Sequence, residues 1–582
     1  MAEIEIHTER IDDVPLLVHQ QHRMGIPEVL DAVIQPHGNR EGLSIGWLTT
    51  IWLAFILSQA DHRMSEVEPW AAERMETLSA LLPQAVRVKD FTDDRLADVL
   101  RYLSDDDLWE EVEARLGQRL IGVYDLGREA VRLDSTAVAV YHDPEGNTLF
   151  RYGHSKDHRP DLAQFKVMLA TLDPLGMPLA TLVVAGNEAD DGLYVPAILR
   201  ARPVVGQGGR LYIGDSKMAA LATRAFVHAS GDYYLTPLAM TGEIPKLLVK
   251  LLEPVWNKKQ PLQAIYAPGD EASQGEAQRV KKTLLALGYE SPGWQEAEVD
   301  GQKIGWEERL LVVYSPAQAR KARQALAGRL NRAEQALSAL TPPRGRGKRQ
   351  WDDLSALQAQ VQAILKQHGV ESLLEVSYHR EAERRPIRRY RDRPARTEER
   401  VRYVVQVGRR KGAIAAARRL LGWRLYVTDA PAEELSLEEG VRAYRGAPRM
   451  ERNFDRLKGH PLGIRPLYVQ REDHTLGLVR LLSLALRVLA VVEHVVREAL
   501  KVAGEGLKGL YAGNPQRETG RPTTERLLRA FREITLSVVR LPDQTIRHVT
   551  PLSHLQRRIL ELLGLPASIY ENLALPIESI PP

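Results

Sequence analysis

Between residues 129 and 235 the chain alternates strand-like and helix-like patterns in an order that few architectures accept. Residues 130–134 and 137–141 read as one extended apolar strand region and 164–170 as a second strand; after the turn Asp173-Pro174-Leu175-Gly176, 179–184 reads as a third. A helix is expected at 193–201, a short strand at 210–214, a helix at 218–228 and a strand at 233–235. Three strands separated by turn chemistry predict a meander, and the later alternation makes the whole a mixed α/β order. Several unrelated nucleotide-binding folds share it. Gly206-Gln207-Gly208-Gly209 precedes a strand instead of leading from one into a helix, so it reads as a turn and not a phosphate cradle.

At 582 residues the chain is long enough for two to four domains. Residues 1–125 look mainly helical, suited to DNA binding or dimerisation, and 126–241 carry the α/β pattern. From 242 to 400 the composition is interrupted and variable, with helices expected at 317–340 and 352–368, and it reads as an inserted domain. The α/β pattern resumes over 401–500 with strands near 403–407 and 425–428, a capping box at Ser436 and Glu439, and a long apolar helix at 476–498. Residues 501–582 read as helical, with amphipathic segments at 522–538 and 552–564.

Lys and Arg number 79 against 76 Asp and Glu, a net charge of +3, so cationic surface has to be local. Cys is absent, which excludes disulfides, thiolate nucleophiles and Cys-held zinc or iron; a metal would need carboxylate, His or neutral oxygen ligands. The acidic start lacks a signal peptide's basic region, and the apolar stretch at 478–496 is interrupted by Arg480, Arg487, Glu493 and His494. A cytoplasmic protein without a membrane partner is expected.

Three acids stand where metal chemistry needs them. Asp134 lies within an apolar strand and Asp215 ends another, so both can converge across a sheet as hard oxygen ligands. Taken singly, each is more simply a bend Asp with satisfied hydrogen bonds. Glu451 is the third: on an idealised helix Tyr444, Glu451 and Lys458 recur every seven residues along one face, although Pro448 requires a helix start or kink between them.

These blocks together resemble the DDE transposases of bacterial insertion sequences, in the branch with a large domain inserted between the second Asp and the final Glu. The resemblance covers roughly residues 125–500 and includes the glycine-containing Ser-Lys-Asp element at Gly153-His154-Ser155-Lys156-Asp157. It also includes the Tyr–Arg–Glu–Lys signature through Tyr444, Glu451 and Lys458, with Ala447 in the place of the Arg and Arg445 and Arg449 flanking it. It implies an RNase-H-like mixed-sheet catalytic core interrupted by the inserted domain, with Asp134, Asp215 and Glu451 as a triad for Mg²⁺, for which Mn²⁺ would substitute. The implied activity is metal-dependent cleavage of DNA at insertion-sequence ends followed by strand transfer.

Lys156, Arg159, Lys217, Tyr444, Lys458 and Arg465 are the candidate DNA contacts near this chemistry. Outside it, Arg384, Arg385, Arg388, Arg389, Arg391 and Arg393 form a candidate phosphate track with Tyr390 placed to stack on a base, although neighbouring Glu residues could instead make the run a salt-bridge network. The expected partners are double-stranded DNA with terminal inverted repeats and target DNA, bound by a homodimer. A nuclease without strand transfer and a catalytically inactive DNA-binding or assembly protein remain as alternatives, the latter because of Ala447.

Overall fold

The computed structural model describes residues 4–36, 38, 40–155, 159–267, 283–345, 347–388, 394–446 and 448–576, with the side chains of Arg396, Pro448 and Arg449 excepted. The pattern around residue 130 folds as expected. Strands β2 (Ala130–Val140), β3 (Ala163–Asp173) and β4 (Met177–Ala185) form an antiparallel meander. Helix α8 (Tyr194–Val205) leads to β5 (Leu211–Ile213), and α9 (Leu221–Ala229) leads to β6 (Tyr233–Pro237), both strands running parallel to β2. The order β4-β3-β2-β5-β6 with these directions is the RNase-H-like α/β core.

The sheet does not stop at β6. After α10 (Ile244–Trp256), strands β7 (Gln263–Tyr266), β8 (Leu284–Val299) and β9 (Gln302–Tyr314) join it through the later strand β12 (Trp423–Thr428), which pairs antiparallel with both β6 and β9. Nine strands result. Alternate residues of the extension face two separate cores: Leu311, Val313 and Tyr426 pack with α14 (Leu437–Tyr444), whereas Val312 and Leu425 pack with α10. The expected inserted stretch therefore begins as a continuation of the core sheet. Its remainder, α11 (Pro316–Leu340), α12 (Leu354–His368), the hairpin β10 (Leu374–Ile387)–β11 (Arg396–Arg409) and α13 (Lys411–Leu420), closes around its own apolar cluster. Residues 403–407 consequently do not resume the core sheet: β11 pairs with β10 in a two-stranded sheet apart.

At the chain ends the first 125 residues are mainly helical, as expected, with helices α1–α7 (Val14 to Tyr124) preceded by one strand, β1 (Glu5–Arg10), which pairs with β13 (Thr535–Arg540). The helix expected at 522–538 is corrected: the segment divides into α17 (Thr524–Arg529) and β13, which also pairs with β14 (Thr545–Val549) ahead of α18 (His554–Leu563) and α19 (Ser568–Glu571).

Between these units runs α16 (Glu472–Ala503), apolar and long enough to cross a membrane but buried against α3 (Ile45–Gln59), α6 (Asp93–Ser104), β4 and α18. Its charges are matched in place. Arg480 donates to the Leu103 carbonyl at the end of α6 and pairs with Asp106; the fully buried Arg487 bonds Glu113 (3.0 Å) and Ser483 (2.7 Å). Glu113, on α7 (Asp106–Tyr124), also holds Arg200 of α8 at 3.2 Å, so one carboxylate ties three elements together.

At the start of α1 (Val14–Met24) burial pushes the Asp13 carboxyl up to about 6, and its Oδ1 has no hydrogen-bond partner. With the folded pKa raised above the unfolded one, ionising this group opposes folding increasingly from about pH 4 to pH 6. Asp13→Asn is expected to stabilise the protein at pH 8 by about 2–3 kcal/mol, with the gain fading toward pH 4. Thermal unfolding of both proteins across that range checks it; a gain independent of pH would exclude the ionisation as its cause.

Candidate active site

The parallel ladder between β2 and β5 sets Ala130 beside Leu211, Val131 beside Tyr212 and Arg132 beside Ile213. β5 ends at Ile213; the same register carried two residues further would set Asp134 beside Asp215 on the face that Arg132 occupies, since residues two apart point the same way and neighbouring strands lie ~4.8 Å apart. Both acids are half-buried. Asp134 Oδ1 accepts the Ser135 amide at 2.7 Å.

Asp215 is held more elaborately. Its Oδ1 accepts from Tyr194 Oη at 2.6 Å and from the Lys217 amide at 2.8 Å, while its backbone carbonyl accepts from Thr236 Oγ1 at 2.6 Å. Burial raises the Tyr194 phenol far above its usual range, and the nearby negative charges of Asp215, Asp134 and Asp190 act in the same direction. Tyr194 therefore stays protonated and donates. Asp190 is itself neutralised by Lys166, whose ammonium lies 2.7 Å away on β3 and also reaches the Glu188 carbonyl.

The third element arrives over β2. Arg132 pairs with Asp173 at 2.9 Å and donates to the Ala443 carbonyl at the end of α14. Gly446 completes this approach, because a Cβ there would meet Arg132 Nη2 at 2.9 Å. Tyr444 packs against Tyr426 as a tilted ring pair with centroids 4.6 Å apart; burial first, then Tyr426 and Asp215, push its phenol up to about 12. Helix α15 (Pro448–Lys458) then begins afresh, so Tyr444, Glu451 and Lys458 do not share one continuous helix. Pro at the first position, which needs no amide donor, explains the restart.

Met450, Phe454 and Leu457 bury the inner face of α15, and Asn453 donates to the Gly176 carbonyl at 2.6 Å. Glu493 on α16 receives Arg452 and Arg456 at 2.7 Å each, clamping the helix. Glu451, in its first turn, is exposed. Among the described residues no three or more His, Asp or Glu side chains form a metal-holding group, so Asp134, Asp215 and Glu451 are not gathered as a triad.

The other expected contacts are scattered. Lys217 and Arg465 are exposed, and Lys458 is half-buried at the end of α15. Arg159 is exposed and bonded to Asp161 at 2.7 Å, and Arg445 donates to the Leu285 carbonyl at 2.8 Å. Arg384, Arg385 and Arg388 are exposed on or just beyond β10, where Arg384 and Arg385 lie opposite Glu399 and Glu398. The flanking glutamates bond arginines outside that run, Arg400–Glu398 (3.3 Å) and Arg402–Glu381 (2.6 Å) on the same hairpin. Lys156, Arg389, Tyr390, Arg391, Arg393 and Ala447 lie outside the described residues. The sequence reading missed Tyr194, which carries no motif and meets Asp215 only through the fold, and the Lys166–Asp190 pair, whose carboxylate bears on Tyr194.

The family described as "Transposase DDE domain" matches residues 125–487, a span that opens just before β2 and closes within α16. The chain belongs to this family. No curated protein matches it. Among solved structures, the cryo-EM structure of the piggyBac transposase synaptic complex with hairpin DNA is similar at 8% identity and a TM-score of 0.32, covering 98% of this chain and 85% of that one. Asp134, Asp215, Tyr194, Tyr444 and Glu451 all fall within the transposase DDE span.

Proposed function

We propose that the chain is the transposase of a bacterial insertion sequence, of the branch with a large insertion before the final Glu, cleaving DNA at the element's ends and joining them to a target. The observation that carries this reading is the match of residues 125–487 to the transposase DDE domain, supported by a β2–β5 register that, extended past Arg132 and Ile213, would pair Asp134 with Asp215. Two carboxylates on adjacent strands are a hard-oxygen donor pair suited to Mg²⁺, with Mn²⁺ as a substitute, and Asp215 already has one oxygen occupied by donors. Glu451 is the proposed third ligand.

A bound divalent ion would activate the attacking oxygen and offset charge on the leaving 3′ oxygen. The chain's own contribution is positioning: Asp134 and Asp215 fix the centre, and Lys217, Tyr444, Lys458, Arg465, Lys156 and Arg159 would hold the DNA backbone around it. Joining two ends requires two terminal sites held together, hence a homodimer on inverted-repeat DNA in the cytoplasm.

The test is product analysis with the repeats that flank the gene, in Mg²⁺ and in Mn²⁺. Nicking and joined products are expected. Nicking without joining supports the nuclease reading. Binding with neither supports an inactive assembly protein, a reading favoured by Ala447 in the signature and by the lack of a three-acid metal-holding group among the described residues.

The hairpin β10–β11 gives a separate expectation. Replacing Arg384, Arg385 and Arg388 by Ala should weaken binding to any duplex sequence and flatten the log K against log [salt] slope by about 2–3. An unchanged slope in a fluorescence-anisotropy titration would remove the hairpin from the DNA path.

A further inference from the structure

The two side-chain and backbone donors that reach Asp215 converge on a single oxygen. Tyr194 Oη and the Lys217 amide both bond Oδ1. The last torsion of an Asp side chain is broad, so a carboxylate at a strand end ordinarily swings between orientations. Two donors on one oxygen remove that freedom.

Tyr194 is a rigid post for this purpose. It is 1% exposed, near the start of α8, and its ring edge lies against Gly214, where a Cβ would come within 3.0 Å of Cε1. Gly214 thus leaves room for the Met218 side chain, which a Cβ there would meet first, and for the Tyr194 ring beside the acid it contacts. The acceptor is fixed just as firmly. The Asp215 carbonyl takes Thr236 Oγ1 at 2.6 Å and the Met218 amide at 3.1 Å, and the Gly214 amide continues the bonding to β6 through the Leu235 carbonyl at 3.3 Å. With both partners immobile, the hydrogen bond sets the direction of the carboxylate and does not follow it.

We propose that Tyr194 is a positioning residue of the phosphoryl-transfer site, its hydroxyl locking Asp215 Oδ1 so that Oδ2 stays presented for a divalent cation shared with Asp134. The inference rests on the metal-dependent reading above. A plain core role for Tyr194 would need its ring for packing and its hydroxyl for nothing beyond satisfaction. Removing the hydroxyl alone separates the two roles.

The experiment uses the full chain and Mn²⁺ alone as probe, with free Mn²⁺ followed by electron paramagnetic resonance, on wild type, Tyr194→Phe, Gly214→Ala and Asp215→Ala. Tyr194→Phe keeps the ring, and a group that orients a metal ligand through a hydrogen bond is worth about 10-fold in metal affinity. The Mn²⁺ dissociation constant should therefore rise about 10-fold, and the Mg²⁺ concentration for half-maximal cleavage should shift by the same factor while KM for DNA holds. Gly214→Ala, which crowds the same ring, should move metal affinity in the same direction. If Asp215→Ala loses the Mn²⁺ site but Tyr194→Phe and Gly214→Ala both titrate as wild type, the positioning role is overturned and the metal site stands. If Asp215→Ala itself binds Mn²⁺ as wild type does, the metal-site reading falls and this inference with it.

Discussion

Asp215→Ala and Asp134→Ala should each lower DNA cleavage by about 10³-fold or more, since losing a ligand that supports several kcal/mol of transition-state charge stabilisation has that effect on rate. DNA binding should largely persist, because phosphate contacts come from other residues. Asp215 is the more informative of the two. Its removal also strands the buried Tyr194 hydroxyl, so Asp215→Ala combines a local stability cost with the chemical one, and Asp215→Asn, which retains an acceptor oxygen, isolates the chemistry. Cleavage that survives in Asp134→Ala and Asp215→Ala, measured on radiolabelled end DNA in Mg²⁺, would remove both acids from the mechanism.

The largest effect on stability is expected at Glu113. Glu113→Ala leaves Arg487, which has no exposure to solvent, without its carboxylate partner and releases Arg200 as well. Breaking one side of a buried ion pair costs about 3–5 kcal/mol. Urea unfolding should show that loss in the midpoint. Glu113→Gln, which can still accept a hydrogen bond, should recover part of it. A double variant with Arg487→Met should be less damaged than Glu113→Ala alone, because no uncompensated charge then remains in the core. Equal damage in the two would mean that packing, not charge, holds this junction.

The patterns that were legible in the sequence are the local ones. The meander and the alternation from β2 to β6 are written in apolar runs and turn residues, and the Ser436–Glu439 capping box forms as its spacing predicts. What escaped depends on distant partners. β13 lies in a segment with helical spacing, yet pairs with β1 from the other end of the chain, and β1 has no partner nearby in sequence to reveal it. The β8–β9 hairpin did carry a signal, Asp300-Gly301 with both residues at positive φ, the two-residue turn such hairpins favour.

The candidate site divides in the same way. Asp134 and Asp215 were recognisable because each sits in or just past an apolar strand, and the parallel register of those strands, extended, would pair them. The face shared by Tyr444, Glu451 and Lys458 assumed one unbroken helix, and the restart at Pro448 divides it. Tyr194 could not be singled out at all: its role comes from a hydroxyl meeting an acid 21 residues later across α8 and β5.

The pairing of β12 with β6 bears on how this protein could be shortened. β6 is the outermost strand of the RNase-H-like core, and its free side is covered by residues that follow the whole interrupting segment. Excising that segment with β12, to leave a minimal catalytic domain, would uncover a row of backbone donors and acceptors along β6. Bare edges of this kind recruit strands from other molecules. β12 thus acts as an edge guard, and a core trimmed of it would need a substitute strand, or charges planted along β6, to remain dispersed in solution.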